Sequence, residues 1–132
     1  MNTIYEILEK ANNYKQEQRR INYLKDNNDK IVRTILYGNF SSNLNLKMPA
    51  GSPPYTPNEN AVHEEKEYNR ISGMLNFNEH QWAREKRFIQ LLEAVPSKDA
   101  EILVAMKDKT LTKIFPNITI DIVKEVWPSL IK

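Results

Sequence analysis

Apolar residues recur at helical spacing through the first part of the chain. The first stripe runs through Ile4, Ile7, Leu8, Ala11 and Tyr14. This 3.6-residue period predicts a helix over 3–13, and Thr3 followed by Glu6 has the form of a capping box at its start. A second helix is expected over 15–26. One continuous helix over 3–26 is the alternative, because no proline or glycine intervenes.

A third helix is expected after the turn-forming residues that end with Asp29, a favoured N-cap. Its apolar stripe is Ile31, Val32, Ile35 and Leu36. Gly38 stands where a glycine commonly follows the last helical turn, so we expect the helix to end there.

Helical patterns resume after residue 60. Helices are predicted over 60–75, 79–95, 98–108 and 120–127, with a short helical turn at 111–115. The expected N-terminal signals are Asn78 with Gln81 as a capping box, and Ser97 and Thr119 as single caps. Prolines at 96, 116 and 128 end helical stretches, because proline has no backbone N–H to donate. No segment shows convincing strand alternation, so we expect an all-α fold of six to seven short helices in one compact domain, 1–132.

The segment 39–60, which we call the strap, separates N-terminal helices over 1–38 from a C-terminal helical cluster over 61–132. Four of the seven prolines of the chain lie in it: Pro49, Pro53, Pro54 and Pro57. Proline fixes φ and disfavours helix in the residue before it, so the strap must be extended or turning. Its apolar residues, Phe40, Leu44, Leu46, Met48 and Tyr55, are too many for a solvated linker. We therefore predict an ordered strap that lies across a helical surface and bridges two helical sub-clusters.

Composition narrows the class of protein further. The 132 residues are 40% hydrophobic and 27% charged, as in an ordinary globular domain, and the net charge of +2 is nearly balanced. The absence of cysteine excludes disulfides and thiolate chemistry. No apolar run approaches the roughly 18 residues that span a bilayer, and the first residues lack the form of a signal peptide. We expect a cytosolic protein that does not bind membranes.

No motif for metal binding, cofactor binding or catalysis is present. His63 and Glu67 are four residues apart, but a zincin requires two histidines at that spacing with a glutamate between them. The pair is interpreted as part of a solvated helix face. With only three glycines, the chain has no phosphate-binding loop, dinucleotide fingerprint or nucleophile elbow. We expect no metal, no cofactor and no enzymatic activity.

Two basic clusters are candidates for contact with nucleic acid. They comprise Arg19, Arg20 and Lys25 near Lys15, and Arg84, Lys86 and Arg87 beside Trp82. Trp82 or Tyr23 would be available for base stacking. The alternative is an ordinary charged outer face, because acidic residues interrupt or flank both clusters and Trp82 falls on an apolar stripe.

The strap is the candidate for a protein partner. Pro53, Pro54, Tyr55 and Pro57 have the composition of proline-rich peptides that dock into aromatic grooves. A segment fixed by proline loses little conformational freedom on binding. The alternative, which is compatible with the first, is that the strap closes the protein's own core with Tyr55 turned inward.

Five stretches carry a resemblance to a known family: Arg33–Phe40, Met48–Asn58, Phe88–Glu93, Ala100–Lys109 and Val123–Ile131. In this order they resemble a family of small proteins of unknown function from T4-like tailed bacteriophages. The resemblance implies a viral origin, and it assigns no activity and no site residues.

These observations together favour a non-catalytic bacteriophage interaction protein that acts on a protein partner in the host cytoplasm. Replication, transcription or host-takeover machinery are the expected partner classes. The alternatives are a nucleic-acid-binding accessory protein of phage DNA metabolism, which requires the basic clusters, and a minor structural component of the virion.

Overall fold

The computed structural model describes residues 3–42, 48–59, 69–70 and 81–131. Within these ranges the fold is all-α, as predicted, with seven helices. They are α1 (Ile4–Asn13), α2 (Glu17–Asp26), α3 (Lys30–Phe40), α4 (Gln81–Ala94), α5 (Ser97–Asp108), α6 (Leu111–Ile114) and α7 (Ile120–Val126). The described residues contain no β-strand, and an isolated bridge joins Asn58 to Pro96. Of the predicted helix over 60–75, the structure describes residues 69–70, which are helical and exposed. The Asn78 capping box, Leu44 and Leu46 lie outside the described residues.

Three helices begin at the side-chain caps that the sequence predicts. The Thr3 hydroxyl accepts a hydrogen bond from the backbone N–H of Glu6, and Thr119 does the same for Ile122. The Asp29 carboxylate accepts from two N–H groups of the first turn of α3. Each cap satisfies donors that have no partner within their own helix.

The helix is interrupted between α1, which ends at Asn13, and α2, which begins at Glu17. The alternative of one continuous helix is therefore wrong. Residues 14–16 leave the helical path, and the Arg20 guanidinium closes the gap. Its Nε donates to the carbonyl of Tyr14 at 2.7 Å, and Nη2 donates to that of Lys15 at 3.0 Å. The carbonyls that a continuous helix would pair internally are therefore satisfied by a side chain of the next helix.

Helix α3 does not end at Gly38, contrary to the expectation. Gly38 is buried inside the helix, which continues to Phe40, and the strap therefore begins at Ser41 rather than at residue 39. The carbonyls at the helix end are capped from a distant part of the chain. Lys109 Nζ donates to the carbonyl of Gly38 at 3.1 Å and to that of Ser41 at 2.6 Å. A cation at a helix C-terminus also stabilises the helix dipole.

Helix α5 begins at Ser97 rather than after it, so Ser97 is not the N-cap that the sequence suggested. Pro96 occupies the N-cap position and supplies no side-chain hydrogen bond. The helix ends with Lys109 in the left-handed conformation at φ 58°. There the N–H groups of Lys109 and Thr110 return to the carbonyls of Met106 and Ala105, which is the Schellman arrangement.

One hydrophobic core holds the two halves of the chain together. Each helix contributes at least one side chain exposed by no more than 1%: Leu8, Leu24, Leu36, Leu92, Leu103, Leu111 and Val123. Helix α5 packs against α3, α4, α6 and α1, while α2 packs against α1 and α7. The N-terminal and C-terminal helices thus interleave around a common core.

Buried polar groups reinforce this core at its helix ends. Asp99 is fully buried in the first turn of α5, and its Oδ1 accepts from the backbone N–H of Tyr5 at 2.9 Å. Asn39 is also buried, and its Oδ1 accepts from the N–H of Leu111 at 3.1 Å. Each side chain satisfies the first turn of a helix that lies far away in the sequence.

Candidate functional site

The described part of the strap, residues 48–59, runs antiparallel to α5. Its first end is tied to the C-terminal turn of that helix by Lys107 and Asp108. Lys107 Nζ donates to the carbonyl of Pro49 at 2.7 Å, and it forms an ion pair with Asp108 at 2.5 Å. Asp108 in turn accepts a hydrogen bond from the N–H of Gly51 at 3.0 Å. Gly51 has a φ of 89°, a conformation that glycine adopts without a steric cost.

The second end of the strap is tied where α4 ends and α5 begins. The Glu93 carboxylate accepts from the N–H of Thr56 at 2.9 Å, and the Glu93 carbonyl accepts from the Asn58 amide at 3.3 Å. The Ser97 hydroxyl donates to Glu59 at 3.3 Å. Both ends of the described strap are therefore fixed to helices, which makes it an ordered element.

The strap crosses α5 between these two attachments. Helix α5 has 12 residues, or about 18 Å of axis. The backbone of the strap bends at Ala50, Gly51 and Pro54, so it does not follow a regular polyproline helix along this path.

The middle of the strap alternates between inward and outward side chains. Pro53 and Tyr55 are half-buried, whereas Pro54, Thr56 and Pro57 are exposed. Tyr55 packs against the hydrophobic core. Burial raises the pKa of its phenol, with a smaller effect from the nearby Glu101 carboxylate. Of the four strap residues considered for partner binding, Pro53 and Tyr55 are half-buried, and Pro54 and Pro57 are exposed. We call this outward pair the proline ridge.

A cavity of about 220 Å³ lies between the strap, α4 and α5. Its wall includes Met48, Pro49, Pro53 and Pro54 of the strap, Phe88 of α4 and Lys107 of α5. Its lining is predominantly apolar. Phe88 is only 1% exposed, so the inner side of the cavity is formed by a residue of the hydrophobic core.

Sequence reasoning did not identify this cavity or the residues that fasten the strap over it. One signal was present for Lys107, which falls in register with Ala100 and Leu103 on the apolar stripe of α5. A lysine on a buried stripe requires a partner for its ammonium group. Local pattern does not reveal that the partners are Asp108 and the carbonyl of Pro49, which is 58 residues away.

The two basic clusters lie on different helices and are unequal in exposure. On α2, Arg19 and Lys25 are exposed, while Arg20 is half-buried and bonded to the α1–α2 connection. On α4, Arg84 is 8% exposed, and Lys86 and Arg87 are exposed. The exposed cations are therefore Arg19 and Lys25, with Lys15 nearby, in the first cluster and Lys86 and Arg87 in the second.

Tyr23, one of the two aromatic residues proposed for base stacking, has its ring engaged within the protein. Tyr23 packs against Tyr14 with 5.7 Å between ring centroids, and Lys10 Nζ lies 5.3 Å from the Tyr23 centroid. Burial raises the pKa of Tyr23, with smaller effects from Tyr14 and Glu6. The side chain of Trp82 lies outside the described part.

No group of three or more histidine, cysteine, aspartate or glutamate side chains that could hold a metal ion is found among the described residues. His63 and Glu67 lie outside the described residues. Within the described ranges, none of the helices combines the length and apolar character needed to cross a bilayer.

A family of unknown function (DUF6433) matches residues 7–113 of the chain. The chain belongs to this family. The DUF6433 match covers the strap, all the residues that fasten it, the wall of the cavity and both basic clusters. It confirms the expectation of a family without an assigned activity. The searches of curated proteins and of solved structures returned no match.

Proposed function

We propose that the protein is a non-catalytic interaction protein of a T4-like tailed bacteriophage, which binds a protein partner in the cytoplasm of the infected host. The expected partner belongs to replication, transcription or host-takeover machinery. The observation that carries this proposal is the proline ridge, because Pro54 and Pro57 are exposed on a strap that is fastened at both ends.

The spacing of the ridge suits recognition by an aromatic groove. Pro54 and Pro57 are three residues apart, which is the spacing of the prolines in PxxP segments, and both are exposed. Aromatic-lined grooves bind such proline pairs. Since the strap is already ordered in the free protein, binding costs little additional conformational entropy. Tyr55, which lies between the two ridge prolines in the sequence, packs against the hydrophobic core.

Affinity purification of the tagged protein from phage-infected cells tests the proposal. We expect the double variant Pro54→Ala, Pro57→Ala to lose the partner that the wild-type protein retains, while its thermal unfolding midpoint falls no further than that of a control that also loses two prolines. The matched control is Pro116→Ala, Pro128→Ala, which removes two exposed prolines elsewhere on the surface. It should retain the partner.

Two results would overturn the proposal. One is retention of the partner by the ridge variant at the wild-type level. The other is a loss of partner that occurs only together with a loss of thermal stability larger than that of the control, which would mean that the strap acts solely as part of the fold.

A further inference from the structure

The strap is held to the helices at its surface and contributes nothing to the fully buried core. Within residues 48–59, Met48, Pro53 and Tyr55 are half-buried and the others are exposed. The buried core side chains of the described residues all come from the chain before and after this range. Met48 and Tyr55 pack against that core from outside. Detachment of the strap therefore leaves the helices packed against one another.

The backbone hydrogen bonds that fasten the strap lie at exposed positions. The Gly51 N–H donates to Asp108 at the first end, and the Thr56 N–H donates to Glu93 at the second end. A segment with exposed backbone hydrogen bonds and few buried apolar side chains opens at a lower free energy than the whole fold. The strap has both properties, whereas the helices beneath it carry fully buried side chains.

The chain between the two attachments favours joint opening of both ends. Pro53 and Pro54 lie between Gly51 and Thr56, and proline restricts the backbone and removes the N–H that could bind a helix. Proline-rich segments are semi-rigid over several residues, so displacement of one end is transmitted to the other. We propose that residues 48–59 form a cover, which opens and closes as one unit while the helices remain folded.

Opening of the cover changes the surface of α4 and α5. It releases the Lys107 ammonium from the Pro49 carbonyl and uncovers Phe88, and both Lys107 and Phe88 share a cavity wall with the strap. In the closed form the side chain of Lys107 is 3% exposed and Phe88 is 1% exposed. The cover thus controls the access of solvent to one cation and one apolar ring, whether or not the strap binds a partner.

Native-state hydrogen exchange, followed by nuclear magnetic resonance at urea concentrations below the unfolding transition, measures the opening directly. We expect the Gly51 and Thr56 amides to exchange about 100–1,000-fold more slowly than in an unstructured chain, with matching opening equilibria. The amides of Leu92 and Leu103, which are 0% exposed, should be protected at least about tenfold more. Urea should accelerate exchange at these leucines far more than at the strap, because opening of the cover exposes little surface.

Removal of one attachment distinguishes joint opening from separate fraying of the two ends. Glu93→Ala removes the carboxylate that accepts from Thr56 and keeps the backbone carbonyl that accepts from Asn58. We expect exchange at both Gly51 and Thr56 to rise by the same factor, about tenfold. The matched control is Glu125→Ala at an exposed position of α7, which should leave exchange at both strap amides unchanged.

Amine labelling gives a second measurement, at Lys107. A limiting amount of an acetyl N-hydroxysuccinimide ester acylates accessible amines, and mass spectrometry reads the occupancy of each site. We expect Lys107 to react at least about tenfold more slowly than Lys98, whose side chain is 62% exposed, because the closed form covers Lys107. Glu93→Ala should raise the rate at Lys107 by the same factor as at the strap amides and leave Lys98 unchanged.

Four results would overturn the inference. If Gly51 and Thr56 exchange as slowly as Leu103 and with the same response to urea, the strap is an inseparable part of the fold. If they exchange at the rate of an unstructured chain, the strap does not close over the helices. If Glu93→Ala accelerates exchange at Thr56 alone, the two ends open separately. If that variant leaves the labelling of Lys107 unchanged, opening of the strap does not uncover this lysine.

Discussion

Replacement of Lys107 by methionine should detach the first end of the strap. The side chain of Lys107 is only 3% exposed, and its ammonium group joins the Pro49 carbonyl to the Asp108 carboxylate. Methionine retains an unbranched apolar stem, so packing along α5 is largely preserved. The substitution therefore removes the charge and its hydrogen bonds with little loss of packing.

The expected loss of unfolding free energy is about 2–3 kcal/mol. Hydrogen bonds to charged groups contribute roughly 1.5–3 kcal/mol each, and removal of one member of a buried ion pair costs about 3–5 kcal/mol. Asp108 is 19% exposed and can regain some hydration, which places the estimate below the buried-pair range. For a chain of this length, the loss corresponds to a fall of roughly 6–10 °C in the unfolding midpoint.

Urea denaturation followed by circular dichroism measures the global effect, and hydrogen exchange at the Gly51 amide measures the local one. That amide donates to Asp108, so its protection should fall in Lys107→Met. The control is Lys98→Met on the same helix. Its ion pair with Glu101 is 3.9 Å long with both side chains more than half exposed, and its Nζ lies 5.6 Å from the centroid of the Tyr5 ring, so loss of both contacts should cost about 1 kcal/mol. Equal effects of the two substitutions would refute the assignment of Lys107 as an anchor.

Three further changes test other parts of the structure. Asp99→Ala should lower the unfolding free energy by about 1–3 kcal/mol in urea, because the Tyr5 N–H loses its acceptor, the buried Asp99 side chain; an unchanged midpoint would contradict this. Asn39→Ala should cost about 1–2 kcal/mol in the same assay, since the Leu111 N–H loses its cap, and a cost near zero would exclude that role. Tyr55, whose pKa is raised by burial from its ordinary 10.0, contributes stability that is present below pH 10 and lost as pH rises through the raised pKa. Tyr55→Phe should make this alkaline decline shallower, and an identical decline in the variant would count against the buried phenol.

The sequence determined the class of the fold and the position of most helix ends. Thr3, Asp29 and Thr119 cap helices through hydrogen bonds that span two or three residues, and such signals are visible in any short window. Apolar periodicity identified the core face of each helix, because a side chain's position on a helix follows directly from its number. The prolines of the strap likewise excluded helix there.

The tertiary structure decided where a helix ends when its terminal backbone groups are capped by a residue distant in the sequence. The pattern placed the end of α3 at Gly38, but Lys109 satisfies the terminal carbonyls from 71 residues away and the helix continues to Phe40. The pattern also allowed one helix over 3–26, and Arg20 stabilises the break instead. Neither the Lys109–Gly38 contact nor the Arg20–Tyr14 contact can be predicted from a short window of sequence.

For the site as well, the sequence determined some features and the tertiary structure the others. The sequence placed the proline-rich strap between the helices, and Lys107 falls on the apolar stripe of α5. Only the tertiary structure joined Lys107 to Pro49, turned Tyr55 toward the core and left Pro54 and Pro57 outside. The physical reason is range: capping, proline geometry and helical periodicity act within about one turn, whereas the strap's position depends on ion pairs and packing between residues that only the folded chain brings together.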